Sequence, residues 1–140
     1  MKRIMALLLA VLLIFSILGS TVLGVVAASI EPRWNNTNSA NVSLTINDTG
    51  RATVSVTCIG MGGVTTKITA ETKLERKWGL LWLDVDGAEW TDTTTSSILS
   101  VNHYAQLSKK ATYRATTEYA VSGTGGANDA FTARCEYAYE

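Results

Sequence analysis

The stretch Val64–Lys77, VTTKITAETKLERK, alternates between two kinds of side chain. Small and apolar residues occupy one phase, and charged residues occupy most positions of the other. A period of two with one charged side is typical of a β-strand that buries one face and wets the other. The apolar phase holds Val64, Thr66, Ile68, Ala70, Thr72 and Leu74, and the polar phase holds Lys67, Glu71, Lys73, Glu75 and Lys77.

The same alternation recurs on both sides of this stretch. It covers residues 40–46, 51–58, 81–85, 99–101, 113–121 and 131–139. Asn47-Asp48-Thr49-Gly50 predicts a turn, and Asp86-Gly87 predicts a two-residue hairpin between Val85 and Ala88. The weakest stretch is 104–111, which is also compatible with one or two helical turns.

These segments predict an all-β fold of seven or eight antiparallel strands. Short strands at this spacing favour a two-layer antiparallel β-sandwich, immunoglobulin-like in general shape. A barrel is the alternative architecture, because periodicity does not distinguish the two. The true immunoglobulin signature is missing, since Trp78 lies too far after Cys58 and Ala133 stands where a tyrosine corner has Tyr.

The amino terminus has the three-part layout of a secretory signal peptide. Lys2 and Arg3 precede an apolar run, and small residues lead to a predicted cleavage between Ala28 and Ser29. The chain therefore divides into a signal peptide, 1–28, and a single all-β domain, 29–140, which we expect to be secreted, extracellular or attached to the cell envelope. An uncleaved anchor is the alternative, because residues 4–28 are long enough to span a bilayer.

Charge narrows the choice of partners. Without Lys2 and Arg3 the chain keeps ten of its twelve basic residues and all twelve acidic ones, a net charge near −2. No basic patch is available to neutralise phosphates, which argues against a nucleic-acid partner. It also argues against polybasic attachment to a membrane once the signal is removed. The oligomeric state is left open by the sequence.

Two cysteines follow the signal, Cys58 and Cys135. An even number in an exported domain favours a disulfide. Both lie in the apolar phase of their strands, so both are predicted to face the core, where they can meet. The alternative is two buried free thiols that pack as small hydrophobic groups.

No set of residues predicts catalysis or a cofactor. His103 is the single histidine, and no nucleophile motif accompanies it. The carboxylates of residues 84–89 are rich in oxygen but do not complete a calcium-loop pattern. We therefore expect a protein that is not an enzyme and has no metal site.

Tryptophan offers the better candidates for binding. Trp82 shares a phase with Asp84, opposite Leu81, so we expect it to be partly exposed. Trp82 and Trp90 are the predicted ligand-binding residues, because an exposed aromatic ring beside carboxylates can stack on a sugar or hold a protein. Packing across an edge strand, or over an open end of the core, is the alternative for both.

The chain resembles an uncharacterised family of short secreted proteins from Gram-positive, largely clostridial bacteria. The resemblance rests on an opening, Ile30–Asn36, followed by the motifs Leu44-Thr45-Ile46, Gly50-Arg51-Ala52-Thr53, Lys67-Ile68-Thr69, Leu74-Glu75-Arg76-Lys77 with Trp82, and Tyr113-Arg114-Ala115. It covers nearly the whole region after the signal. It implies secretion and a β-sandwich and carries no catalytic residue to this chain.

Three functional hypotheses follow. The first is a non-enzymatic extracellular or envelope binding module for a glycan or a protein. The second is a structural envelope protein that self-associates, for example through an edge strand. The third is a secreted enzyme or toxin, which needs a catalytic group that the sequence does not display. Fold class alone does not rank them.

Overall fold

The computed structural model describes residues 34–140. The predicted signal peptide and the cleavage between Ala28 and Ser29 lie outside this range. Arg33–Glu140 forms one compact unit with its own hydrophobic core. Within the described part, no helix is long and apolar enough to cross a membrane.

Seven strands make up the domain. They are β1 (Thr37–Ile46), β2 (Arg51–Gly60), β3 (Thr65–Trp78), β4 (Leu81–Thr94), β5 (Ile98–Gln106), β6 (Ala111–Gly123) and β7 (Asp129–Tyr139). One sheet has the order β1-β2-β5 and the other β4-β3-β6-β7, and all pairs are antiparallel. The two sheets face each other, which confirms the predicted two-layer sandwich. Residues 104–111 form the end of β5, a short loop and the start of β6, with no helical turn.

Strand β3 behaves largely as its pattern predicts. Ile68, Ala70, Thr72 and Leu74 are buried in the interior, while Lys73 and Lys77 point outwards. The alternation slips at the start of β3, where a register shift between Thr65 and Lys67 leaves Thr66 exposed. The core is completed by apolar side chains from the facing sheet, among them Val42, Leu44, Val54, Val56 and Leu99.

Strand β4 differs from the prediction. The chain does not turn at Asp86-Gly87: β4 runs through this dipeptide, and residues 85–88 bulge opposite the single residue Leu74. The bulge needs a left-handed backbone, which Gly87 supplies with a φ of 72°. The actual hairpin is the two-residue loop Gly79-Leu80, where Gly79 has a φ of 60°.

One buried carboxylate ties the start of β1 to the start of β7. Asp129 accepts hydrogen bonds from the backbone N–H groups of Asn35 and Asn36, at 2.8 Å each, and from the hydroxyl of Thr37, also at 2.8 Å. Beside this contact, Trp34 stacks on Phe131 with ring centroids 4.7 Å apart. These contacts close one open side of the sandwich.

Candidate functional site

The outer face of the four-stranded sheet carries three of the four ion pairs found within residues 34–140. Because side chains alternate along a strand, Lys73, Glu75 and Lys77 of β3 share this face. Register places Arg114 of β6 beside Glu75, and Trp82 of β4 beside Lys77. Three strands thus bring an acid, several cations and an aromatic ring together.

Glu75 is the centre of the cluster. Its side chain is almost buried, at 6% exposure, although it lies on the outer face. The guanidinium of Arg114 donates from Nε and approaches with Nη2, both 2.9 Å from Oε2, and the hydroxyl of Thr116 donates to the same oxygen at 3.2 Å. Lys73 Nζ lies 3.2 Å from Oε1. This carboxylate is therefore satisfied by three side chains.

Two opposing effects act on the pKa of Glu75. Burial by itself raises the pKa, because it disfavours the charged form. Hydrogen bonds from Arg114 and Lys73, and the charges of both, outweigh burial and hold the pKa below its usual range. Glu75 is therefore ionised at neutral pH, and its role is to position the guanidinium of Arg114.

The Trp82 ring contacts two cations beside Glu75. The guanidinium carbon of Arg114 lies 4.2 Å from the centre of the Trp82 ring, and Lys77 Nζ lies 5.9 Å from it. Such cation–π contacts hold the ring in place from the protein side. The indole is half-buried, which confirms the expected partial exposure and leaves part of the ring open to solvent.

A groove of about 470 Å³ adjoins the cluster. Lys73 and Thr116 belong to both. The other outward side chains at the groove come from β3, β4 and β6: Glu71, Glu89, Thr91 and Glu118. Register sets Glu71 directly opposite Glu118, and neither pairs with a basic side chain within residues 34–140. The groove therefore presents acceptor oxygens and hydroxyl groups, and Trp90 rather than Trp82 is the aromatic residue in its lining.

The ring of Trp90 points to the inner face of the sheet. It pairs in register with the buried Thr72, and its ring stacks on His103 of the facing sheet, with centroids 4.7 Å apart and planes 6° from parallel. His103 Nε2 lies 2.6 Å from a carboxylate oxygen of Asp92. Trp90, His103 and Asp92 close the side of the sandwich between β4 and β5.

The structure does not bring the two predicted ligand-binding residues together. In a regular strand Trp82 and Trp90 would share a face, because eight positions separate them. The bulge at 85–88 shifts the register by an odd number of residues, so Trp82 pairs with Lys77 outside and Trp90 with Thr72 inside. Trp82 remains the candidate for ligand contact. Trp90 packs at the side of the sandwich, which was the alternative for both residues.

Cys58 and Cys135 both point into the sandwich from opposite sheets, as their phase predicts. They are free thiols in this structure, so the disulfide stays a prediction. Burial, and after it the carboxylate of Asp129, raises the pKa of the Cys58 thiol to about 11. Both cysteines also lie close enough to Tyr119 to raise the pKa of that phenol, which burial raises most.

Sequence reasoning missed Arg114, Glu75 and the groove. A usable signal existed, because each of the two strands carries a charged residue of opposite sign, and opposite charges directly across neighbouring strands stabilise the pair. Within residues 34–140, no group of three or more His, Cys, Asp or Glu side chains is placed to hold a metal ion. No family model matches the chain, and no curated protein matches its sequence.

Proposed function

We propose that the domain is a non-enzymatic extracellular binding module that holds a glycan of the cell envelope on the outer face of its four-stranded sheet. The observation that carries the proposal is the partly exposed Trp82 ring, which is held by Arg114. The Glu75 partner of Arg114 also contacts Lys73 and Thr116, and these two residues line the open groove. A flat aromatic ring suits the apolar face of a sugar. The carboxylates and hydroxyls of the groove suit the hydroxyl groups of a sugar.

The paired charges support binding over acid–base chemistry. Glu75 receives hydrogen bonds from Arg114, Thr116 and Lys73, and its pKa is lowered, so it is a poor proton donor at neutral pH. The free acceptors of the groove, Glu71 and Glu118, sit opposite each other and favour a neutral, hydroxyl-rich ligand over an anionic one. Secretion, which the signal peptide predicts, would place this face outside the cell.

The test is co-sedimentation of residues 29–140 with purified Gram-positive cell walls. Trp82→Ala should lose most of the pelleted fraction, and Trp82→Phe should keep part of it because a flat ring remains. Tyr104→Ala is a matched control, since Tyr104 is a half-exposed aromatic residue with Arg51 over its ring at 4.3 Å, on the outer face of the other sheet.

Three results bear on the proposal. Equal pelleting of Trp82→Ala, Tyr104→Ala and wild type would overturn the site. A wild-type protein that stays in the supernatant would overturn envelope binding itself. Pelleting without walls would favour the second hypothesis, a structural protein that self-associates.

A further inference from the structure

The β3–β4 hairpin projects beyond the rest of its sheet. Strand β3 pairs with β6 only as far as Arg76, which lies opposite Tyr113. From Lys77 to Trp82 the two arms pair only with each other, around the loop Gly79-Leu80. The end of this hairpin is therefore a narrow, convex ribbon with no strand of the same sheet beside it.

The ribbon exposes large apolar side chains. Leu80 is 98% exposed, Trp78 65%, Leu81 57% and Leu83 38%. These four residues are the hairpin tip. Register puts Trp78, Leu81 and Leu83 on the inner-face side of the ribbon, away from Trp82, and none of them belongs to the core. A patch of this kind on a folded domain marks an interaction surface.

The charged residues within the tip segment itself are all basic. The eight residues from Arg76 to Leu83 include two basic residues and no acidic one. Lys109, in the loop before β6, borders the same depression as Arg76. The nearest acidic residue on β4 is Asp84, whose carboxylate lies 3.4 Å from Lys73 Nζ. Asp86 borders the depression as well and is the remaining anion there.

We propose that the hairpin tip inserts into the surface of an anionic lipid bilayer. Leucine side chains at a convex turn can enter the acyl boundary, and tryptophan prefers the depth of the headgroups. Arg76 and Lys77 stand behind the tip, where their charges meet lipid phosphates while their stems lie along the apolar chains. A fluid bilayer accepts a convex apolar tip without a preformed pocket, which a protein partner would have to supply.

This inference departs from the expectation of no membrane contact after cleavage. That expectation rested on net charge and on the absence of a polybasic cluster. Here the apolar tip provides the attachment, and two local cations select the lipid. The apolar side chains of this inference are separate from the proposed glycan site, because Trp82 lies on the opposite side of the ribbon from Trp78, Leu81 and Leu83. Lys77 borders both surfaces.

The experiment is flotation of residues 29–140 with lipid vesicles, either pure phosphatidylcholine or phosphatidylcholine with about 30% phosphatidylglycerol. The domain has its own core, so it can be tested without the signal segment. Wild type should float with the anionic vesicles and much less with the neutral ones. Added salt should weaken the binding, because it screens Arg76 and Lys77.

Leu80→Asp should lower the vesicle partition coefficient by about tenfold or more, since it replaces a leucine that enters the lipid by a charge. Ile98→Asp is the matched control: Ile98 is 56% exposed and begins β5, at the other end of the sandwich. Leu81→Ser replaces Leu80→Asp if circular dichroism shows that the aspartate variant does not fold. Trp82→Ala should float like wild type.

The proposal is overturned if wild type does not float with anionic vesicles, or if Leu80→Asp and Ile98→Asp float equally well. Equal flotation with neutral vesicles would overturn the role of Arg76 and Lys77. If Trp82→Ala loses flotation while Leu80→Asp floats fully, the lipid contact lies on the outer face around Trp82. That result would also overturn insertion of the hairpin tip.

Discussion

At the scale of single residues, Glu75 shows how an acidic side chain can be nearly buried on the outer surface of a sheet. Its oxygens have three donors, so removing its charge leaves the Arg114 guanidinium short of its partner. We expect Glu75→Gln to lower the free energy of unfolding by about 1–3 kcal/mol in urea titrations. Glu118→Gln, an exposed residue on the same face, should change it by less than about 0.5 kcal/mol.

If the two glutamine variants unfold at the same urea concentration, the Glu75 cluster contributes nothing to stability. If only Glu118→Gln lowers the free energy of unfolding, the carboxylate that stabilises the domain is Glu118 in the groove and not Glu75. Because Glu75 orients Arg114, Glu75→Gln should also weaken wall binding at temperatures where the variant stays folded.

Asp129 adds a pH dependence. Burial raises its pKa, but hydrogen bonds from the backbone N–H groups of Asn35, Asn36 and Thr37 and from the Thr37 hydroxyl outweigh burial, and the folded-state pKa is lowered. The folded-state pKa of Glu75 is lowered likewise. A carboxyl group whose folded-state pKa is lowered stabilises the folded protein fully at pH values above its unfolded-state pKa, about 4. It loses this contribution as pH falls through its folded-state pKa.

We therefore expect the urea midpoint of wild type to fall between about pH 5 and about pH 2. Asp129→Asn should be less stable than wild type at neutral pH and should show a shallower acid dependence. Asp48→Asn, an exposed residue of the β1–β2 turn, is the control and should follow the wild-type curve. A wild-type midpoint that is flat or rises in acid would contradict the role of these carboxylates.

At the scale of elements, the bulge in β4 decides which tryptophan packs and which is displayed. Trp90→Ala should lower the free energy of unfolding by about 2 kcal/mol or more, because the ring packs on His103 and the core. Trp82→Ala should cost about 1 kcal/mol or less. Urea unfolding followed by circular dichroism measures both. The reverse order would mean that β4 has no bulge and that the faces are exchanged.

Alternation was sufficient to predict the strands whose pattern is unbroken. Strands β1, β2, β6 and β7 follow it, and Ala52, Val54, Val56 and Cys58 are all fully buried. Strand β4 was mispredicted because Asp86-Gly87 is a strong turn signal, whereas Trp78-Gly79-Leu80-Leu81 is a weak one. Which of the two becomes the hairpin depends on the partner register of β3, and a local pattern does not contain that information.

The candidate site could be predicted only in part, for the same reason. The exposure of Trp82 follows from its own strand. Its support by Arg114 depends on the pairing of β3 with β6, which joins Glu75 to a residue 39 positions away. Phase along one strand gives the face of a residue but not its neighbour on the next strand, so the groove required the three-dimensional structure.

At the scale of the whole molecule, the two sheets are joined at both open sides by different means. Trp90, His103 and Asp92 close the side between β4 and β5. Asp129 and the stack of Trp34 on Phe131 close the side between β1 and β7. The proposed glycan site around Trp82 and the hairpin tip both belong to the four-stranded sheet, so this sheet carries both proposed contacts. The three-stranded sheet supplies the opposite wall of the core.

A covalent link between the sheets would add to these closures. The predicted bridge joins Cys58 of β2 to Cys135 of β7, and both side chains lie inside the sandwich near Tyr119. We expect protein recovered from an oxidising compartment to show no reactive thiol after denaturation, and its intact mass to rise by about 2 Da on reduction. Reduction should lower stability, by up to about 4–5 kcal/mol in the chain-entropy model.

The double variant Cys58→Ala/Cys135→Ala separates the bridge from packing, because its stability should not respond to a reductant. Two reactive thiols in denatured wild type would overturn the bridge and leave the free pair seen here. In that case the raised pKa of Cys58 keeps its thiol protonated at neutral pH. A thiol reagent should then modify Cys58 in the native protein only as fast as the sandwich opens.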